Sequence, residues 1–210
     1  MCVTVGLAMG ATGCTAVRPD PTDVVTQYLE AIAAGDAATA TQLDATGLND
    51  VDREWADLDT LRTDDVLAGA ERITDVVVDP ETTGDDTAKQ VSFSYELAGQ
   101  QERSAIDVVW DEDAQKWQLA DSLASPLTVL AAVNRTEQRL VSFDLPGASV
   151  RQPADQDAAT LVFLVYPAVY SITADLDPAL LADPAAELTQ VVPVMLSQQP
   201  VAQYTVTQLP

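Results

Sequence analysis

No histidine occurs anywhere in this 210-residue chain, and its two cysteines, Cys2 and Cys14, both fall within the first fourteen residues. Those facts bound the available chemistry. Without imidazole there is no Ser-His-Asp or Cys-His nucleophile, no histidine-ligated metal, and no side chain that ordinarily titrates near neutral pH. Neither Ser-x-x-Lys nor Gly-x-Ser-x-Gly occurs, so serine-nucleophile chemistry has no residues to run on. Hard oxygen donors cluster at Asp85-Asp86 and at Asp111-Glu112-Asp113. They suit calcium by donor type, but neither has the EF-hand loop with its central glycine and terminal glutamate. The expectation is a solvated acidic loop tip at each, with no metal site and no cofactor. Asn134-Arg135-Thr136 has the form of a glycosylation acceptor and is read as a chance match.

Charge narrows the partners. Ten Lys and Arg stand against 33 Asp and Glu, for a formal net charge of −23. Such a surface repels phosphate backbones, which argues against nucleic acid as a partner. The hydrophobic share of 47% is enough to build a core, so disorder is not expected. The acidity is uneven: the first 125 residues hold 25 acids and 7 bases, the remainder 8 acids and 3 bases. Asp outnumbers Glu 24 to 9, and the pattern reads as solvated surface rather than as a binding site.

Between the cysteines, residues 3–13 are uncharged and mildly apolar. The run is shorter than the roughly 20 residues that span a bilayer, yet it matches the apolar region of a signal peptide, roughly 7–15 residues. Ala11-Thr12-Gly13-Cys14 resembles the lipobox of bacterial lipoproteins, where small residues precede a cysteine that is lipidated and becomes amino-terminal after cleavage. The resemblance implies a mature chain beginning at Cys14, anchored by the two chains of a diacylglyceryl group on that cysteine. No Lys or Arg precedes Arg18, and Ala11 stands where Leu is usual, so a basic leader is expected upstream of Met1. The alternatives are a Cys2–Cys14 disulfide, closing only a terminal loop, and an apolar tail with two incidental thiols.

The elements that position everything else follow from periodicity. Residues 1–20 read as signal remnant and tether. Asp20-Pro21 reads as an N-cap with proline at the first helical position, and Val24, Val25, Tyr28, Leu29 and Ile32 recur at helical spacing up to Gly35. Asp36 caps a second helix reaching about Thr46, and a partly helical stretch is expected over 52–72, carrying Trp55, Leu58, Leu61, Val66 and Leu67. The period then changes. Val76–Val78 reads as a short strand and Asp79–Asp86 as a loop; Val91, Phe93, Tyr95 and Leu97, then Ile106, Val108 and Trp110, alternate as half-buried strands. Asp111–Gln115 turns the chain into Trp117 and Leu119. Ser125-Pro126 reads as a boundary, giving a first domain over 21–125 and a β-rich one over 126–210. The latter offers six strands: Leu127–Val133, Leu140–Phe143, Leu161–Val165, Tyr170–Ala174, Val191–Leu196 and Tyr204–Gln208, with helical turns over Ala179–Leu188.

The run from Val24 to Asp36, with its Ala-Gly-Asp corner, resembles the first helix of the nuclear transport factor 2-like superfamily, whose cone-shaped α+β fold includes ketosteroid isomerase and scytalone dehydratase. Trp110, the acidic hairpin, Trp117-Gln118-Leu119 and Asp121 resemble the last strand pair of such domains in actinobacterial lipoproteins, and Leu164–Ile172 is similar to their β-rich carboxyl-terminal modules. The resemblance implies an α+β cone of helices on a curved antiparallel sheet, followed by a small all-β sandwich. It also places Tyr28 where ketosteroid isomerase carries its oxyanion-stabilising tyrosine, with Asp52, 24 residues on, as the proton-shuttling carboxylate. Asp107 is the only aspartate within a later strand, and alternation turns it away from Ile106, Val108 and Trp110. Tyr28, Trp55, Phe93, Tyr95, Trp110 and Trp117 would either line the mouth of a cone-shaped pocket or form plain core.

The function these readings imply is a non-catalytic protein of the cell envelope, held by a lipid on Cys14 at the outer face of the cytoplasmic membrane and binding an envelope protein or a small ligand. Two alternatives remain: a pocket enzyme of isomerase or dehydratase type using Tyr28 and Asp52, and a structural spacer of an envelope complex.

Overall fold

The computed structural model describes residues 18–44, 59–133, 136–138, 142–151, 160–176, 188–196 and 200–206. Its first helix begins where the residue types dictate. α1 spans Pro21–Ala34; the extended Asp20 accepts the Thr22 N–H at 2.9 Å, and proline takes a position where a missing N–H costs nothing. Gly35 closes it in the left-handed conformation, φ 84°, which glycine adopts without a Cβ penalty. Val25, Tyr28, Leu29 and Ile32 form its buried stripe. Asp36 accepts the Thr39 N–H at 2.8 Å and starts α2, Ala37–Asp44. α3 is only Asp64–Gly69, capped by Thr63. The rest of the helical stretch expected over 52–72 is not helix where it is described, and residues 52–58, with Asp52 and Trp55, lie outside the described residues.

After β1, Glu71–Arg72, the chain builds an antiparallel sheet in the order β2 (Thr74–Gly84), β3 (Ala88–Leu97), β4 (Gln100–Asp111), β5 (Lys116–Leu119). The β3–β4 register is unbroken from Ala88↔Val109 to Leu97↔Gln100. β2 departs from expectation: in place of a three-residue strand and a loop, it runs eleven residues. Register shifts between Thr74 and Val77 and between Val78 and Thr82 carry Pro80 and its acidic neighbours through an edge strand, where only one side needs a ladder.

The remaining strands are β6 (Ser125–Val133), β7 (Thr136–Gln138), β8 (Ser142–Leu145), β9 (Ala148–Arg151), β10 (Thr160–Val165), β11 (Ala168–Asp175), β12 (Leu188–Val194) and β13 (Val201–Val206). β6 lies between antiparallel β10 and parallel β13, with β7 on its far end. β11 pairs with β12 along one edge and with β8, then β9, on the other. The two sheets face each other: the Phe143 and Phe163 rings meet edge-on at 5.5 Å, and the Tyr204 hydroxyl donates to the Ile172 carbonyl. Of the expected Ala179–Leu188 helical turns, residues 179–187 lie outside the described residues and Leu188 opens β12.

The α+β fold class, a cone of nuclear transport factor 2-like type followed by a small all-β sandwich-like domain, is therefore corrected. Among the described residues three helices, two of them of eight residues or fewer, stand against thirteen strands in three sheets. The molecule is mostly β, without the clear helical part that the cone requires. The physical reason lies in the middle of the first half, where α3 stops after six residues and β2 extends through the expected loop. Nor is the β-rich half closed on itself. β1 pairs with β11, Glu71 opposite Val169 and Arg72 opposite Ala168, so the first half supplies a strand to the second half's sheet. Beside it, Gly147 (φ 87°) comes so close to α3 that an added Cβ would lie 2.3 Å from the Asp65 backbone. One buried cluster runs through both halves, from Val25 to Tyr204.

Candidate functional site

A groove of about 500 Å³ opens between α1, α2 and β5. Helical spacing turns Asp23, Val24 and Gln27 of α1 onto one wall, and Thr39, Gln42 and Leu43 of α2 onto the next. Lys116, Trp117 and Gln118 of β5 make the third, and Pro19 and Asp20 close one end. That end is a strap held at several points. The Trp117 indole N–H donates to the Pro19 carbonyl at 2.9 Å. The Arg18 guanidinium lies 4.3 Å over the Trp110 ring and 5.9 Å from that of Trp117, pairs with Glu112 at 3.5 Å, and donates to the Asp86 carbonyl.

Charge in the groove is mixed. The Thr22 backbone N–H, then its hydroxyl, hold the Asp20 carboxyl below the ordinary range. Asp23 and Lys116 are exposed and have no side-chain hydrogen bond or ion pair among the described residues. The Thr39 hydroxyl is committed to Asp36 at 2.7 Å. The lining can hold a polar ligand by charge, amide hydrogen bonds and an indole surface; it presents no activated nucleophile.

The titratable chemistry lies elsewhere, in a closed cluster where five segments converge. Asp44, the last residue of α2, is fully buried, and its Oδ2 accepts from Arg62 Nη1 at 3.0 Å and from the Ser122 hydroxyl at 2.8 Å. Among the described residues its Oδ1 has no hydrogen-bond partner. Burial raises the Asp44 carboxyl above its usual range despite Ser122 and Arg62, and a helix carboxyl end is itself unfavourable for negative charge. Arg62 also binds the exposed Asp59. Tyr166, between β10 and β11, crosses from the other half: its hydroxyl meets Thr41 Oγ1 at 2.8 Å, and its ring lies edge-on to Tyr28 at 6.2 Å. The Tyr28 hydroxyl accepts the Leu123 N–H at 3.0 Å, and burial, then the Asp44 charge, push its ionisation well above the ordinary phenol range.

The candidates read from sequence are thus dispersed. Tyr28, Phe93 and Tyr95 are core residues at 0%, 1% and 1% exposure, and none lines the groove. Trp117 does line it; Trp110 stands behind, under Arg18. Cys14, Asp52 and Trp55 lie outside the described residues. Asp107 faces solvent and accepts from Gln90 at 3.0 Å. Asp85 accepts the Thr87 and Ala88 N–H groups of its own turn, and Asp111 those of Asp113 and Ala114. Sequence reasoning missed Asp44, Arg62, Ser122 and Tyr166. One signal was present: Ala37, Ala40 and Asp44 share the buried face of α2 at spacings of three and four, which marks the acid as inward. Comparisons with family models, with curated proteins and with solved structures return no match to this chain.

Proposed function

We propose that this is a non-catalytic cell-envelope protein, held by a lipid on Cys14 at the outer face of the cytoplasmic membrane, that binds a small ligand or protein partner in the groove between α1, α2 and β5. The observation that carries the reading is the separation of chemistry from access. The groove is open but offers only binding groups, whereas Tyr28 and Asp44 are sealed within the core. A pocket enzyme built on Tyr28 has little support, because its hydroxyl accepts a backbone N–H and is fully buried. The anchor adds a geometric constraint. Cys14 precedes Arg18 by four residues, which span at most about 14 Å when extended, so a lipid there would keep the strapped end of the groove near the bilayer. Among the described residues no helix is long and apolar enough to cross a membrane.

Expression in a bacterial host with the native upstream region tests the anchor. Palmitate is expected to label the chain and to leave it in the membrane fraction, while Cys14→Ala loses the label and is released. Absence of label, with fractionation unchanged by Cys14→Ala, refutes the anchor.

A further inference from the structure

We infer that the groove takes a hydroxylated organic amine of about the size of an amino sugar, with its ammonium group at Asp23. This deepens the proposed reading of the groove and rests on it. Size is the first constraint: about 500 Å³ lies at the lower part of the range for small-molecule sites, roughly 300–1,000 Å³. Charge is the second. Two carboxylates, Asp20 and Asp23, face one ammonium, Lys116, within a chain of net charge −23. The summed field concentrates cations at the groove and repels anions.

The two carboxylates are not equivalent. Asp20 spends one oxygen on the Thr22 N–H and hydroxyl, both at Oδ1. Asp23 makes no such bond among the described residues and stands exposed on the α1 wall. It is therefore the carboxylate that an incoming ammonium can pair with at least cost. The β4–β5 surface at the strapped end already holds one cation, the Arg18 guanidinium, over the Trp110 face and against Glu112. An indole and a carboxylate are present at the groove as well, since Trp117 and Asp23 both line it. The Gln27 and Gln42 amides, each both donor and acceptor, are suited to ligand hydroxyls. Lys116 opposes a second positive charge, which favours a monoamine over a diamine.

The test is an NMR titration of the full chain, following the Trp117 indole N–H and the Gln27 and Gln42 side-chain amides. The probes are glucosamine, at a pH where its amine is protonated, glucose and glucuronate. Glucosamine is expected to shift these signals saturably, glucose more weakly and glucuronate least, with added salt lowering the glucosamine affinity. Asp23→Asn is expected to weaken glucosamine binding about three- to fivefold, and Lys116→Ala to tighten it about twofold, as suits exposed charge pairs. Glucose or glucuronate binding as tightly as glucosamine, or an affinity unmoved by both substitutions, overturns the amine inference and leaves groove binding intact. No groove shift from any of the three probes overturns the inference together with the small-ligand reading of the groove.

Discussion

The groove and the Asp44 cluster are built from similar residue types and behave as opposites. Both contain carboxylates, a cation and aromatic rings. In the groove Asp23 and Lys116 are exposed and have no side-chain partner among the described residues; in the cluster Asp44 and Arg62 have exposed fractions of 0% and 2% at their side chains and meet at 3.0 Å. Water makes the first set cheap to leave unpaired and therefore available. Burial makes the second costly to disturb, so it is committed to joining segments. A perturbed carboxyl is often a mark of function. Here the perturbed group, Asp44, belongs to the joint between α2, the segment before α3, the turn after β5 and Tyr166, whereas the groove presents the exposed Asp23 and Lys116.

That contrast can be broken by substitution. The largest effect is expected from Arg62→Ala, which leaves the Asp44 carboxylate buried without its cation; a loss of about 3–5 kcal/mol in urea denaturation is expected. A cost below about 1 kcal/mol would mean that Asp44 is not held as a buried charge. Tyr166→Phe, which removes the hydroxyl that meets Thr41, is expected to cost about 1 kcal/mol. A double-mutant cycle with Thr41→Val would isolate that bond, and a coupling of zero would detach Tyr166 from the joint.

The pH dependence sharpens the comparison further. Because burial raises the Asp44 carboxyl, the native state keeps a proton there at pH values above 3.8, where the unfolded chain has released it. Native protein binds more protons in that window, so this group's contribution to stability falls as pH rises through it. Asp20, Asp36 and Asp85 have the opposite sign. Backbone N–H groups of Thr22, Thr39 and Thr87 hold them low, so their stabilisation is present above the ordinary carboxylate range and lost as pH falls through their native values. Urea midpoints across the acid range should show the Asp44 contribution in the wild type and lose it in Asp44→Asn; identical pH profiles would contradict a raised Asp44. The smallest effect is expected at the groove itself. Asp23→Asn should change stability by less than about 0.5 kcal/mol, and a larger loss would assign Asp23 to the fold rather than to a ligand.

Much of the local structure was legible in the residues. Asp20-Pro21, the Val25–Ile32 stripe and Gly35 mark α1 because capping, proline and glycine act through the nearest backbone. The alternation of Val91, Phe93, Tyr95 and Leu97 marks β3 for the same reason. The length of β2 was not legible, since Pro80 and its acids punctuate a loop in isolation and become tolerable only on a bulged edge. The nuclear transport factor 2-like expectation failed at that scale. It rested on one helix and one strand pair, whereas the balance of helix and sheet depends on the segments between them.

What the amino-acid types determined alone was a set of exclusions and local signals: no imidazole chemistry, an acidic exterior, and the starts and stops of several elements. Only the tertiary structure decided which carboxylate is buried and which is open, because Asp44 and Asp23 are the same group until packing removes water from one of them. It also decided that Tyr28 is fully buried with its hydroxyl on the Leu123 N–H, and that β1 and Tyr166 tie the two halves together. Those outcomes depend on residues as much as 125 positions apart, Thr41 and Tyr166, and a pattern read along the chain contains no term for such pairings.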